Sequence, residues 1–124
     1  MIPATIAVIA LMSAGVAIPQ DIDILSKIEI AAIQNQVNPD KMKALMMCES
    51  RGNIKAWNKN DPGIGSRGIF QYQTSTFYNT AKLYGLEDVN IWDYNQQIKI
   101  TAFLLAQNKW NLWYNCSKKI GMIR

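Results

Sequence analysis

The sequence contains no histidine. Nucleophilic catalysis by Ser-His or Cys-His pairs is therefore excluded, as are most catalytic zinc sites, because both depend on an imidazole. The two cysteines are too few to form a structural zinc site, and the chain has no glycine-rich phosphate loop. The chemistry must come from carboxylates, amides, hydroxyls and aromatic rings, and no metal or cofactor is expected.

Charge is modest, with a formal net value of +4. The basic residues are scattered, and only Lys118, Lys119 and Arg124 come close together. This excess is interpreted either as a solvated surface or as attraction to an anionic polymer or surface, such as a cell wall or a membrane. Nucleic acid is not an expected partner, because no basic stripe with interleaved aromatic residues is present.

Residues 1–19 contain no charged side chain. Three interpretations remain open for this segment: a signal peptide with small residues at Gly15 and Ala17, a retained membrane anchor, or an apolar helix buried in the core. In the first two cases, the protein is exported and works in the periplasm, in the cell wall or at the membrane. The length of 124 residues suits one folded domain, which we place at residues 20–124.

The rest of the chain is predicted to be mainly helical. Apolar spacings of three and four predict helices over about 21–36 and 38–49, from Thr74 or Ser75 to Gly85, and from Asp93 onward. The predicted buried stripe of the first helix is Ile22, Leu25, Ile28, Ala32 and Ile33. Residues 51–68 lose this periodicity and are rich in glycine and asparagine, which predicts a long loop. A short extended segment is predicted over residues 68–72.

The helix over residues 38–49 has an acid on its apolar face. Asn38 can cap its start, Pro39 suits the first turn, and Gly52 offers a stop. Four residues share one face of this helix: Met42, Leu45, Met46 and Glu49. Burial and the negative end of the helix dipole both disfavour a carboxylate there, so we predict a raised pKa for Glu49. A carboxyl group that is protonated near neutral pH suits glycosidic-bond cleavage. The alternative is an ordinary carboxylate paired with Arg51 or Lys55.

Cys48 and Cys116 are far apart in the sequence. In an exported chain, an even number of cysteines favours a disulfide, and the alternative is two buried free thiols. A bridge would join the helix that carries Glu49 to the aromatic C-terminal segment.

Three short motifs follow one another along the chain. They are Cys-Glu-Ser at 48–50, Gly-x-x-Gln at 68–71 with Thr-Ser-Thr-Phe at 74–77, and Trp-x-x-Trp-x-x-Cys at 110–116. In this order they resemble the lysozyme-like lytic transglycosylases, and in particular the transglycosylase-like domain of resuscitation-promoting factors. The resemblance spans about residues 38–117. It implies a mainly α, lysozyme-like single domain with a long loop or minor β-hairpin at the cleft, preceded by an N-terminal apolar helix.

The resemblance also implies roles for individual residues. Glu49 corresponds to the catalytic acid and Gln71 to a glutamine of the sugar cleft. Gly68 corresponds to a glycine that lets the backbone approach the ligand. Phe77 replaces a tryptophan and would stack on sugar with a smaller ring. The candidate substrate-binding residues are Ser50, Asp61, Gly68, Gln71, Tyr72, Thr76 and Phe77. The same family pairs the two matching cysteines, which implies a Cys48–Cys116 disulfide.

The chain departs from these families at three points, the first of which is a loop between Glu49 and Gln71 that is longer than usual. Arg51 stands where they usually have glycine. The Ala-Tyr-Asn-Ala-Gly motif is absent, so the tyrosine of the cleft has three candidates, which are Tyr72, Tyr94 and Tyr114.

Several polar and aromatic residues have a structural interpretation beside the functional one. Gln71 could bind backbone groups of the loop instead of a ligand. Trp110 and Trp113 are expected in the core, whereas Trp57 and Trp92 lie in polar stretches and are better candidates for stacking on sugar.

The function that the resemblance implies is cleavage of the β-1,4 bond between N-acetylmuramic acid and N-acetylglucosamine in peptidoglycan. Glu49 would protonate the leaving oxygen and then deprotonate the muramoyl 6-hydroxyl, which leaves a 1,6-anhydro product. Asp61 is the candidate second acid for a hydrolytic alternative. A third interpretation is a non-catalytic wall-binding component. Residues 1–19 could contact a membrane, and an envelope-spanning or phage virion complex is a conceivable partner.

Overall fold

The computed structural model describes residues 17–61 and 65–124. Five α-helices, three two-residue strands and a 3-10 helix follow one another in these ranges: α1 Gln20–Gln34, α2 Pro39–Ser50, β1 Trp57–Asn58, β2 Ser66–Arg67, β3 Tyr72–Gln73, α3 Thr74–Leu83, α4 Tyr94–Ala106, the 3-10 helix Trp110–Trp113 and α5 Tyr114–Lys119. The predicted mainly helical class with a minor β-hairpin is confirmed.

The predicted leader, anchor or apolar helix lies mostly outside the described residues. Only residues 17–19 of that segment are described, and they precede α1 without regular structure. Within 17–61 and 65–124, none of the helices combines the length and the apolar character that crossing a membrane requires.

Helix α2 begins as its sequence predicts. Its C-cap is Arg51, one residue before Gly52, which the sequence had offered as the stop. The Asn38 side chain accepts a hydrogen bond from the Lys41 N–H at 3.2 Å, and Pro39 opens the helix. At the other end, Arg51 takes the left-handed conformation with φ 55°, and its N–H donates to the Met47 carbonyl at 3.1 Å. The predicted core face is confirmed, since Met42, Leu45 and Met46 are fully buried.

Helix α1 packs differently from its predicted stripe. Ile28 and Ala32 are buried as expected, but Ile22, Leu25 and Ile33 are exposed. Ile24 and Ser26 are buried in their place. The reason is that α1 contacts both α2 and α4, so its buried surface extends around two sides of the helix.

The three strands form an antiparallel sheet in the order β1-β2-β3. Trp57 pairs with Arg67, and Asn58 pairs with Ser66. Because side chains alternate along a strand, Asn58 and Ser66 share one face of the hairpin, and Trp57 and Arg67 share the other. The predicted extended segment is wrong over residues 68–71, which form the turn between β2 and β3, and only Tyr72 is in a strand.

The buried side chain of Gln97 holds this turn against α4. Its Oε1 accepts from the Phe70 N–H at 2.9 Å, and its Nε2 donates to the carbonyls of Arg67 at 2.9 Å and Ile91 at 2.6 Å. Trp113 also stabilises the turn, because its Nε1–H donates to the Phe70 carbonyl at 2.8 Å. The turn is therefore fixed by both α4 and the C-terminal segment.

A disulfide joins Cys48 of α2 to Cys116 of α5, with their Cα atoms 5.8 Å apart. The predicted bridge is confirmed, and no free cysteine remains. Since Glu49 follows Cys48 directly, the bridge fixes the position of Glu49 relative to the C-terminal helix.

We expect the double substitution Cys48→Ser/Cys116→Ser to lower the free energy of unfolding. The bridge spans 68 residues, and closing a loop of that length stabilises a chain by about 4 kcal/mol in the chain-entropy model. Urea denaturation of the variant, and of the wild type in reductant, measures the loss. Equal stability of oxidised and reduced wild type would contradict the prediction.

The substitution Arg51→Gly is expected to stabilise the fold by about 0.5–1 kcal/mol, because glycine adopts φ 55° without steric strain. The matched control is Lys99→Gly on an exposed position within α4, which we expect to destabilise by about 1 kcal/mol. Thermal denaturation of both variants tests the pair, and a loss of stability in Arg51→Gly would refute it.

Candidate active site

Glu49 is the penultimate residue of α2, and its side chain is half-buried. Burial is the largest cause that raises the pKa of Glu49 from 4.5 to about 7, the negative charge of Asp61 raises it further, and Lys119 lowers it. The predicted raised pKa is confirmed, and burial is the predicted cause. A carboxyl group with this pKa exists in both protonation states near neutral pH.

The alternative of a helix-end ion pair is not supported. Across the described residues, neither Arg51 nor Lys55 forms an ion pair with Glu49, and no side chain hydrogen-bonds to its carboxyl group. The cation that acts on Glu49 is Lys119, from the last turn of α5. It is near Glu49 in space because the disulfide holds α5 against the end of α2.

Glu49 lines a cleft of about 520 Å³. The walls come from the end of α2, the hairpin, the start of α3 and the C-terminal segment. The lining residues are Glu49, Asn58, Asp61, Ser66, Gln71, Tyr72, Gln73, Thr76, Leu112, Trp113, Tyr114, Asn115 and Cys116. The cleft thus brings together five residues that the sequence predicted for the site: Glu49, Asp61, Gln71, Tyr72 and Thr76.

Asp61 is held in this cleft by its neighbours in the hairpin. Its Oδ1 accepts from the Asn58 amide at 3.0 Å, and its Oδ2 accepts from the Ser66 hydroxyl at 2.5 Å. Asn58 and Ser66 can both bind it because they are paired across the strands on the same face. The site therefore contains a second, oriented carboxyl group whose charge acts on Glu49.

Gln71 has the structural role considered for it, and its sugar-binding role stays a prediction. Its Nε2 donates to the carbonyls of Ala56 at 3.1 Å and Gly68 at 2.9 Å, so the amide nitrogen stabilises the loop. Both partners are acceptors, which orients the amide with its nitrogen toward the loop. Within the described part of the chain, no hydrogen bond engages Oε1. Its oxygen is thus the atom that remains for a ligand.

Thr76 lines the cleft from the first turn of α3 and is half-buried. It lines the same cleft as Gln71. Both residues supply neutral polar groups, which suit the amides and hydroxyls of a sugar.

Tyr72 contributes its ring to the cleft floor but is not the tyrosine hydroxyl of the site. Only 3% of the residue is exposed, and its hydroxyl lies 2.7 Å from Thr101 Oγ1 in the core. Burial raises the pKa of Tyr72 far above its usual range. Tyr94 donates its hydroxyl to Asp23 at the α1–α4 contact, away from the cleft. Tyr114 is the remaining candidate, and it lines the cleft with 54% of its surface exposed.

Three other sequence-based expectations need correction. Phe77 has no exposed surface and packs edge-to-face against Tyr72 at 5.6 Å, so it cannot stack on sugar. Gly68 makes room for protein rather than ligand, because a Cβ there would lie 2.1 Å from Gln97 Nε2. The Ser50 hydroxyl accepts from the Gly52 N–H at 3.1 Å, and Ser50 does not line the cleft.

The tryptophans divide as the sequence predicts. Trp110 and Trp113 are buried in the core, and Trp57 and Trp92 are exposed.

Among the described residues, no group of three or more acidic, histidine or cysteine side chains is placed so that it could hold a metal ion.

Sequence reasoning missed the C-terminal wall of the cleft, which includes Leu112, Asn115 and the neighbouring Lys119. Their sequence carries no local signal for a site, because they meet Glu49 only through the disulfide. Asn58 and Ser66 were also missed, although their position in the polar loop around Asp61 was a usable signal.

Comparison with protein families shows which family the chain resembles. Residues 26–116 match the family model described as Transglycosylase SLT domain. Searches of curated proteins and of solved structures returned no match. The matched range includes Glu49, the hairpin, Gln71 and the second cysteine of the disulfide.

We expect Asp61→Asn to lower the pKa of Glu49 and Lys119→Gln to raise it, because each substitution removes one charge that acts on the carboxyl group. An NMR titration of the Glu49 side-chain carboxyl carbon measures both shifts. Asp88→Asn, which removes an exposed carboxylate away from the cleft, is the control and should leave the pKa of Glu49 unchanged. Shifts of the same sign in the first two variants would refute this electrostatic account.

Proposed function

The chain belongs to the transglycosylase SLT domain family, whose domains degrade peptidoglycan, and we propose that it cleaves the β-1,4 bond between N-acetylmuramic acid and N-acetylglucosamine with Glu49 as the catalytic acid. The observation that carries this proposal is the half-buried Glu49 carboxyl group with a pKa of about 7 in a polar cleft. A general acid works best when its pKa is near the working pH.

In the first step, protonated Glu49 donates its proton to the glycosidic oxygen as the bond to the anomeric carbon breaks. Positive charge develops on the sugar ring, and the carboxylate that forms at Glu49 stabilises it. Because no cation in the described residues forms an ion pair with Glu49, its carboxyl group stays available for this proton.

In the second step, the Glu49 carboxylate accepts the proton of the muramoyl 6-hydroxyl while that oxygen bonds to the anomeric carbon. The product is a 1,6-anhydro sugar, no water is consumed, and Glu49 returns to its protonated form. One carboxyl group is sufficient for this route, because the same residue acts as acid and then as base.

Hydrolysis is a second candidate reaction, and the position of Asp61 is the observation that favours it. Asp61 lines the same cleft and is oriented by Asn58 and Ser66. A carboxylate in that position could direct a water molecule to the anomeric carbon instead of the 6-hydroxyl.

We further propose that Gln71, Thr76 and Tyr114 bind the sugar. The Oε1 atom of Gln71 and the hydroxyl of Thr76 suit acetamido and hydroxyl groups, and the exposed ring of Tyr114 suits the apolar face of a sugar. Tyr114 lies on the C-terminal wall, whereas Gln71 and Thr76 lie on the hairpin and α3. The sugar would thus be held between these two walls, which Trp113 links through its hydrogen bond to the Phe70 carbonyl.

For the whole chain, we propose a catalytic domain at residues 20–124 and an export signal or membrane anchor at residues 1–19. The family match lies within the proposed domain. The uncharged, apolar composition of residues 1–19 supports the second part, since peptidoglycan lies outside the cytoplasm.

The substitution Glu49→Gln is expected to reduce the release of soluble muropeptides from purified peptidoglycan by about 10²–10⁴-fold, because glutamine cannot transfer the proton. The wild-type rate should fall as the pH rises through about 7, where Glu49 loses its proton. Glu87→Gln, at an exposed position, is the matched control and should keep full activity. Wild-type rates in Glu49→Gln would refute the proposal, and wall binding by a wild type that releases nothing would favour the non-catalytic interpretation.

Mass spectrometry of the products separates the two candidate reactions. An anhydro end is lighter than a reducing end by one water molecule, so the transglycosylase route predicts the lighter species. Asp61→Asn should still form the anhydro product, at a lower rate near neutral pH because the pKa of Glu49 falls, whereas hydrolysis predicts reducing ends that disappear in this variant.

A further inference from the structure

Two tryptophans lie on the side of the hairpin that faces away from the cleft, and neither lines the cleft. Asn58 and Ser66 face the cleft, so their strand neighbours Trp57 and Arg67 face the opposite way. Trp92 meets Trp57 there edge-to-face, with ring centroids 6.4 Å apart. The contact is set by the fold, because Gln97 binds the carbonyls of Arg67 and Ile91 with one amide nitrogen.

Both rings remain open to solvent. Trp57 is 46% exposed and Trp92 is 39% exposed, although each belongs to a segment whose position is fixed by the core. Two large exposed aromatic rings in contact are typical of an interaction surface rather than of a surface without a partner. Neither ring lines the cleft of Glu49.

Two cations lie against the same ring. Lys59 Nζ is 4.6 Å and Arg67 Cζ is 5.1 Å from the ring centroid of Trp57. Arg67 is also held by Thr74, since its Nη1 donates to Oγ1 at 2.5 Å. Asp93, next to Trp92, accepts from the Asn95 N–H and caps α4, and Asp61, the acid nearest to Lys59 in sequence, binds Asn58 and Ser66 in the cleft. The aromatic pair therefore has a positively charged border.

We infer that Trp57, Trp92, Lys59 and Arg67 form a second binding surface, separate from the cleft, for a glycan strand that carries carboxylates. Tryptophan rings pack on the apolar faces of pyranose rings, and Lys59 and Arg67 complement carboxylates such as those of peptidoglycan stem peptides. The inference rests on the proposed function, because peptidoglycan supplies both chemical groups in one polymer. A surface that holds one strand raises the effective concentration of neighbouring strands at the cleft.

The test measures retention on purified, insoluble peptidoglycan in the Glu49→Gln background, in which the wall is not digested. We expect Trp57→Ala and Trp92→Ala to weaken retention by about tenfold and Lys59→Gln to make retention less dependent on salt. The matched controls are Leu83→Ala, which removes an apolar side chain that is 78% exposed, and Lys109→Gln, which removes an exposed cation. Both controls should retain wild-type binding, and thermal denaturation of each variant verifies its fold.

With Glu49 intact, the tryptophan substitutions should reduce cleavage of insoluble wall by about tenfold more than cleavage of a short soluble oligomer that fills only the cleft. Equal losses on both substrates would overturn the inference, because they would assign the tryptophans to support of the cleft. Unchanged retention on the wall would also overturn it. So would variants that bind anionic lipid vesicles more weakly but bind the wall as before. Activity of Glu49→Gln would contradict the proposed reaction instead, and the retention measurement would still decide whether this surface binds wall.

Discussion

The arrangement of the site depends on the covalent link between Cys48 and Cys116. Glu49 is near the end of a helix, where a side chain would ordinarily be solvated and its pKa little changed. The disulfide brings α5 against that end, so the C-terminal segment lines the cleft beside Glu49 and completes one of its walls. Burial is also the largest cause of the raised pKa, which ties the chemistry of Glu49 to the bridge beside it.

The opposite wall is fixed by hydrogen bonds rather than by a covalent bond. Gln97 is fully buried and satisfies both its amide oxygen and its amide nitrogen on the backbone around the hairpin turn. Leaving such a buried amide unpaired would be costly, so the turn and α4 are strongly coupled. Gly68 is required at the turn because any side chain would occupy the space of Gln97. Gln97 thus orients the whole hairpin, with Gln71 on its cleft side and Trp57 on its outer side.

Two charges of opposite sign adjust the pKa of Glu49, which lies between these walls. Asp61 opposes ionisation of Glu49, and Lys119 favours it. They come from different parts of the chain, one from the hairpin and one from the last turn of α5. A pKa near neutrality suits the successive acid and base roles proposed for Glu49. The same hairpin that holds Asp61 carries Trp57 on its reverse face, so the cleft and the proposed second surface lie on opposite faces of one hairpin.

The sequence by itself determined the helical class, the start and core face of α2, the disulfide and the acid at the helix end. These features depend on local spacing, on capping residues and on the order of short motifs. It also placed Trp110 and Trp113 correctly in the core. Tertiary structure alone decided which side chains reach the cleft. Phe77, Gly68 and Tyr72 follow the motif but serve packing, because the turn and the start of α3 pack against Gln97 of α4 and against Trp113. Tyr114 and Lys119 join the site because a bridge of 68 residues brings them to Glu49, and local sequence patterns do not encode contacts of that range.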